Sequence, residues 1–137
     1  CEIQQSSNCT YRLYDYNRTD RYGNRRQLHV EKALEVMDYH RYELPQFQDE
    51  TVVKDTYTCR ILSRCKYFEC ASYQIHGTAE LPAYSDSFSS LVCVKGSGIL
   101  YKQDEKMQFS AGDSFFVPCS GEKIRAEGDC ELILTHI

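Results

Sequence analysis

The chain is poor in the features that mark several large functional classes. No apolar run approaches the roughly 18 residues of a membrane-spanning helix, so no membrane partner is expected. Basic residues are in the minority. The 16 Lys and Arg stand against 20 Asp and Glu, giving a net charge of −4. A nucleic-acid binder normally carries a basic patch, so no nucleic-acid partner is expected either. The sequence shows no signal-peptide pattern, and a cytoplasmic protein is expected. There is no internal repeat and no low-complexity segment. Zinc-type spacings are missing as well: no Cys-x-x-Cys, no His-x-His and no His-x-x-x-His occurs. His29, His40, His76 and His136 stand apart, and each reads as structural or exposed.

Cysteine, by contrast, is plentiful, with eight residues in 137. They are Cys1, Cys9, Cys59, Cys65, Cys70, Cys93, Cys119 and Cys130. Several lie inside apolar runs. Cys93, for example, sits between Val92 and Val94, where a thiol behaves as a small hydrophobe. With no secretion signal, reduced structural thiols are predicted. The first residue is Cys1 rather than Met, and Glu2-Ile3-Gln4-Gln5 already reads as strand, so the sequence is expected to begin inside a larger protein.

Short runs rich in β-branched and aromatic residues dominate the second half. Leu91–Val94, Ile99–Lys102 and Phe115–Val117 read as strands. Gly96-Ser97-Gly98 is expected to be a tight hairpin between the first two, because glycine enters left-handed backbone at no steric cost. Ala111-Gly112-Asp113 is expected to turn the chain into Phe115–Val117, which Pro118 closes. Val52-Val53, Tyr57–Leu62, Tyr67–Ile75, Ile124/Ala126 and Cys130–Ile137 add further strands, with Gly77 and Pro82 as breaks. Such a series predicts a small antiparallel barrel or jelly roll.

The first half reads differently. Residues 28–39 form a helix whose Val30, Ala33, Leu34 and Met37 make one apolar stripe suited to a barrel wall. Ile3 and Thr10–Tyr16 read as strands joined by Ser6-Ser7-Asn8. On the second, Arg12, Tyr14, Tyr16 and Arg18 share a face. A guanidinium beside aromatic rings suits a sugar or a phosphate; the same face also reads as the solvated side of an amphipathic strand. Residues 38–56, with Pro45 and Asp49-Glu50, read as a polar connection.

The pair VKGSGIL and AGDSFFVP resembles the two strand–turn motifs of the cupin barrel. Metal-binding cupins carry imidazoles around those motifs. Here the flanking residues are Ser89-Ser90-Leu91 and Cys119-Ser120-Gly121-Glu122-Lys123, so the resemblance implies a cupin without its metal.

A more specific resemblance runs through NCTYRLYDYNR and the Leu28-His29-Val30-Glu31-Lys32-Ala33-Leu34 helix. It continues through Lys66-Tyr67-Phe68-Glu69 to the terminal Leu132–Ile137. These segments are similar to class I mannose-6-phosphate isomerases, in the short form of Bacillus-like bacteria. The resemblance implies the C-terminal portion of such an enzyme, with mannose 6-phosphate as substrate, fructose 6-phosphate as product and zinc held upstream of Cys1. It maps the family's pocket arginine onto Arg12, with Asp15 and the nearby tyrosines as candidate supporting groups. The implied organisation is 1–40 as the last strands and helix of the catalytic cupin, 41–56 as connector, and 57–137 as a metal-free barrel. As an isolated chain it is expected to be inactive, and a homodimer is possible. The alternative is a metal-free cupin serving as a structural, dimerisation or sugar-binding module.

Overall fold

A computed structural model describes residues 3–4, 9–41, 43 and 50–137. Two compact units are present, residues 45–137 and residues 2–44. The expected strand at Glu2–Gln5, the Ser6–Asn8 turn, Pro45 and Asp49 fall largely or wholly outside the described residues.

The larger unit is a seven-stranded antiparallel sheet, formed by β1 (Val52–Val53), β2 (Tyr57–Arg64), β3 (Glu69–Leu81), β4 (Ser89–Lys102), β5 (Glu105–Ser110), β6 (Ser114–Val117) and β7 (Ile124–His136). The strand order is β1-β2-β3-β7-β4-β5, with β6 also paired to β4. Residues alternate between the two faces of a strand, and register aligns the inward set. Cys59 faces Tyr73, which faces Leu132, which faces Cys93. Ile75, Leu91 and Leu132 are completely buried at the centre of the core. Each contributes about 1.5–3 kcal/mol through removal of its side chain from water. Four thiols, Cys59, Cys70, Cys93 and Cys130, are buried here. Burial raises the Cys93 thiol and pushes Cys130 up to about 11, which keeps both protonated. That agrees with their expected role as small hydrophobes.

Two expected breaks are not breaks. Gly96-Ser97-Gly98 is no hairpin, because β4 runs unbroken from Ser89 to Lys102. Its register against β7 shifts between Cys93 and Lys95, and Gly96 takes φ +76°. The glycines therefore bend a continuous strand at a bulge. The chain reverses later, between Lys102 and Glu105, with Gln103 at φ +52°. Gly77 likewise lies inside β3. It pairs with Gly128, which pairs with Gly98, so one row of the sheet is bare of side chains across three strands. A Cβ at Gly98 would lie 2.3 Å from the Glu127 carbonyl oxygen and 2.8 Å from Phe109 Cζ. The row thus lets strands and the Phe109 ring approach closely. Ala111-Gly112-Asp113 does turn the chain into β6, tied by Asp113 N–H donating to the Ser110 carbonyl at 3.0 Å. The last two expected strands are one, β7.

The smaller unit holds α1 (Val30–Val36), shorter than the periodicity predicts. Met37 is already extended, with ψ 133°, and the N-cap residue His29 makes no side-chain capping bond, while at the other end the Tyr39 hydroxyl donates to the Leu34 carbonyl at 2.9 Å. Of the predicted stripe only Ala33 is buried, while Val30, Leu34 and Met37 are exposed. Thr10–Tyr16 is not a strand. Its residues have no ladder partner among the described residues, and a lone run of β-formers cannot satisfy its backbone as a sheet. The nearest approach to pairing is an isolated bridge between Thr19 and Arg25.

Candidate functional site

Arg12 is held by its main chain and its side chain at once. Its N–H donates to His29 Nδ1 at 3.2 Å, and its carbonyl accepts from the His29 N–H at 2.7 Å. Its guanidinium Nη1 donates to the Gln27 carbonyl at 3.0 Å. The side chain is only 23 % exposed, so the cation is partly withdrawn from water and its direction is fixed.

The chain then folds back on itself. Tyr16 and Asn17 both take left-handed backbone, at φ +51° and +54°, and Arg18 N–H closes the turn on the Asp15 carbonyl at 3.0 Å. Two consecutive positive φ values are the pattern of a type I′ turn. This turn brings three arginines around one buried carboxylate. Arg18 Nη2 donates to Asp15 Oδ1 at 2.7 Å. Arg26 donates through Nε to Oδ2 at 2.8 Å and through Nη2 to Oδ1. Arg12 Nε lies 4.0 Å from Oδ1.

The charge-assisted bond from Arg26 holds the Asp15 carboxyl far below its usual range, burial opposes it, and Arg18 adds to the lowering. A carboxyl depressed in the folded state stabilises the fold fully above the ordinary carboxylate value. That contribution is lost as pH falls through the depressed value. In an NMR titration the Asp15 carboxyl carbon should therefore show a midpoint well below about 3.9. A midpoint at or above that value would contradict the cluster.

Tyr14 and Tyr16 do stay near the arginines. Their rings meet edge-on at 5.0 Å between centroids, and the Arg18 guanidinium lies 5.9 Å from the Tyr16 ring. The structure thus brings Arg12 and Arg18, expected on one strand face, to Asp15, which the family resemblance offered as a supporting group, though no strand is present. Sequence reasoning missed His29, Gln27 and Arg26 as partners. They lie 11 to 17 residues away, beyond any local periodicity.

The histidines are scattered. His40 Nδ1 contacts Asp38 at 2.6 Å, and His76 Nδ1 contacts Asp129 at 3.0 Å, both in the open. His136 lies within the larger unit, stacked on Tyr84 at 3.8 Å with its Nε2 3.6 Å from Glu69. Burial pushes the Tyr84 phenol up to about 12. Beside it, Tyr73 is raised by burial and hydrogen-bonds the Cys59 thiol. Phenols and thiols therefore occupy this part of the barrel. Among the described residues no group of three or more His, Cys, Asp and Glu side chains is placed to hold a metal ion. The donor set among the described residues does not fit a zinc ion.

Residues 58–137 match the family described as "Mannose-6-phosphate isomerase, cupin domain". The chain belongs to this family. Among curated relatives it is 32 % identical over 136 residues to the putative mannose-6-phosphate isomerase YvyI of Bacillus subtilis (strain 168), covering 99 % of this chain and 42 % of the relative. It is 29 % identical over 136 residues to the mannose-6-phosphate isomerase ManA of the same strain, with the same coverage of each. The crystal structure of the mannose 6-phosphate isomerase from Bacillus subtilis superposes with a TM-score of 0.76 at 31 % identity, over 93 % of this chain and 40 % of that one. KdgF from Halomonas sp. matches at a TM-score of 0.53 and 19 % identity, over 62 % of this chain and 82 % of that one, which speaks to the fold alone. The expected cupin fold is borne out, and so is the resemblance to the isomerases. The chain spans 42 % of the length of the curated relatives it matches. No helix among the described residues is long and apolar enough to cross a membrane.

Proposed function

We propose that this chain is the C-terminal portion of a mannose-6-phosphate isomerase, and that it supplies Arg12 to the active site of the whole protein. The reaction moves a proton between C1 and C2 of the sugar and builds negative charge on an enediolate oxygen. A fixed, permanently charged guanidinium is the group that such an oxyanion needs. The observation that carries the reading is the way Arg12 is gripped at N–H, carbonyl and guanidinium within a chain of this family. On this reading residues 1–40 belong with the catalytic cupin, 41–56 connect, and 57–137 form a barrel without metal. Zinc chemistry, where the family uses it, depends on residues outside this chain. The full-length polypeptide should convert mannose 6-phosphate to fructose 6-phosphate in a coupled spectrophotometric assay. A pure, folded full-length protein without turnover would remove the reading.

A second reading concerns residues 57–137 alone. Phe88 and Phe116 stack on each other at 5.1 Å, and Phe116 is 68 % exposed. Aromatic surface of this kind favours a packing or dimerisation module. Light scattering at high concentration decides it: a dimer dissociated by Phe116→Glu is expected, and a clean monomer would exclude it.

A further inference from the structure

We infer that His29 is a positioning residue for Arg12. Its ring and its backbone grip the Arg12 peptide from both sides and so set the direction of the guanidinium. The inference rests on the catalytic reading of Arg12. The Arg12 N–H donates to His29 Nδ1 at 3.2 Å, and the His29 N–H donates to the Arg12 carbonyl at 2.7 Å. The Gln27 carbonyl, two residues earlier, receives the guanidinium at 3.0 Å. One short segment therefore controls both ends of the arginine.

His29 also sits at the N-cap of α1, where its carbonyl accepts from Ala33 N–H at 2.9 Å. An N-cap side chain ordinarily accepts a hydrogen bond from the first turn, and Ser, Thr, Asp or Asn is preferred there. His29 makes no such bond. Its side chain is turned to Arg12 instead, and the Tyr11 ring lies edge-on to it at 6.3 Å. An imidazole that gives up capping to accept from a peptide N–H must keep the lone pair on Nδ1. Its proton then resides on Nε2.

The clamp predicts that tautomer directly. A long-range proton–nitrogen NMR spectrum of the 137-residue chain should show His29 with Nδ1 unprotonated and Nε2 protonated. The opposite tautomer would overturn it. In the full-length enzyme, His29→Phe keeps ring bulk and removes the acceptor. It should lower kcat by about 10- to 100-fold, the scale of a misplaced catalytic group, with KM changed far less. His29→Asn keeps an acceptor near the Nδ1 position and should recover most of the rate. A role confined to folding would show as matched loss of thermal stability in both variants, without the kcat split, and would overturn the clamp. Wild-type kcat in Arg12→Ala overturns the reading of Arg12 itself. An impaired Arg12→Ala beside an unimpaired, folded His29→Phe overturns the clamp alone.

Discussion

Replacing Arg12 by alanine in the full-length protein is expected to lower kcat for mannose 6-phosphate by about 100- to 1,000-fold, the scale on which a single oxyanion donor acts. Stability should fall little. Among the described residues the side chain makes one direct hydrogen bond, to the Gln27 carbonyl, worth about 1 kcal/mol, and Asp15 keeps its closer partners Arg18 and Arg26 when Arg12 Nε, 4.0 Å away, is removed. In a protein of a few hundred residues that shifts thermal unfolding by about 2–4 °C. Arg12→Lys separates charge from geometry. Lysine keeps the positive charge but loses the planar fork that meets the Gln27 carbonyl and an oxyanion together. Its rate should fall between the other two. A large loss in kcat with a small shift in unfolding places the arginine at the chemistry. Equal rates for wild type and Arg12→Ala would take it out of the site.

The second large effect is on the barrel. Gly96→Ala should destabilise the fold by about 3–5 kcal/mol, at the severe end of single substitutions. Two causes combine. The backbone at Gly96 has φ +76°, a region that costs a side-chain-bearing residue about 1–2 kcal/mol. A Cβ there would lie 2.0 Å from the Asp129 carbonyl oxygen and 2.8 Å from Cys130 Cα. Both are backbone atoms of β7, so relief requires parting β4 from β7 along a ladder that runs nearly the full length of both strands. Gly112→Ala is the control. Gly112 has φ +98° but nothing within 4 Å of a built Cβ, so only the backbone term of about 1–2 kcal/mol applies. Urea unfolding of the two variants should give clearly different midpoints. Equal midpoints would mean that the strand contact at Gly96 carries no energy.

Much of the barrel was legible because alternation and β-branched runs report directly on inward and outward faces. Val52-Val53, the Phe115–Val117 strand and the Ala111–Asp113 turn all stand where the pattern placed them. The glycines misled, because the same freedom that permits a hairpin permits a bulge. Nothing local tells whether Gly96-Ser97-Gly98 reverses the chain or bends it. That depends on β7 lying alongside. The real reversal, at Gln103-Asp104, lacks the Asn-Gly or Gly-Gly signature that marks tight hairpins. In the smaller unit, composition predicted a strand at Thr10–Tyr16, but strand formation needs a neighbour, and the described residues offer none. The choice of Arg12 came from resemblance to a family, since its pattern alone also fitted a solvated face. Its anchors could not be read, because Gln27 and His29 reach it across a loop rather than along a period. The resemblance offered Asp15 as a supporting group for Arg12, but its bonds to Arg18 and Arg26 depend on the type I′ turn and on a segment 11 residues away.

On the proposed reading, any zinc site of the whole protein lies outside these 137 residues. This is tested most directly by incubating the purified chain with excess zinc, removing unbound metal, and measuring bound zinc and mannose 6-phosphate turnover on the same sample. A folded β-rich protein with no tightly held zinc and no turnover is expected. Stoichiometric zinc retained together with isomerase activity would contradict the reading.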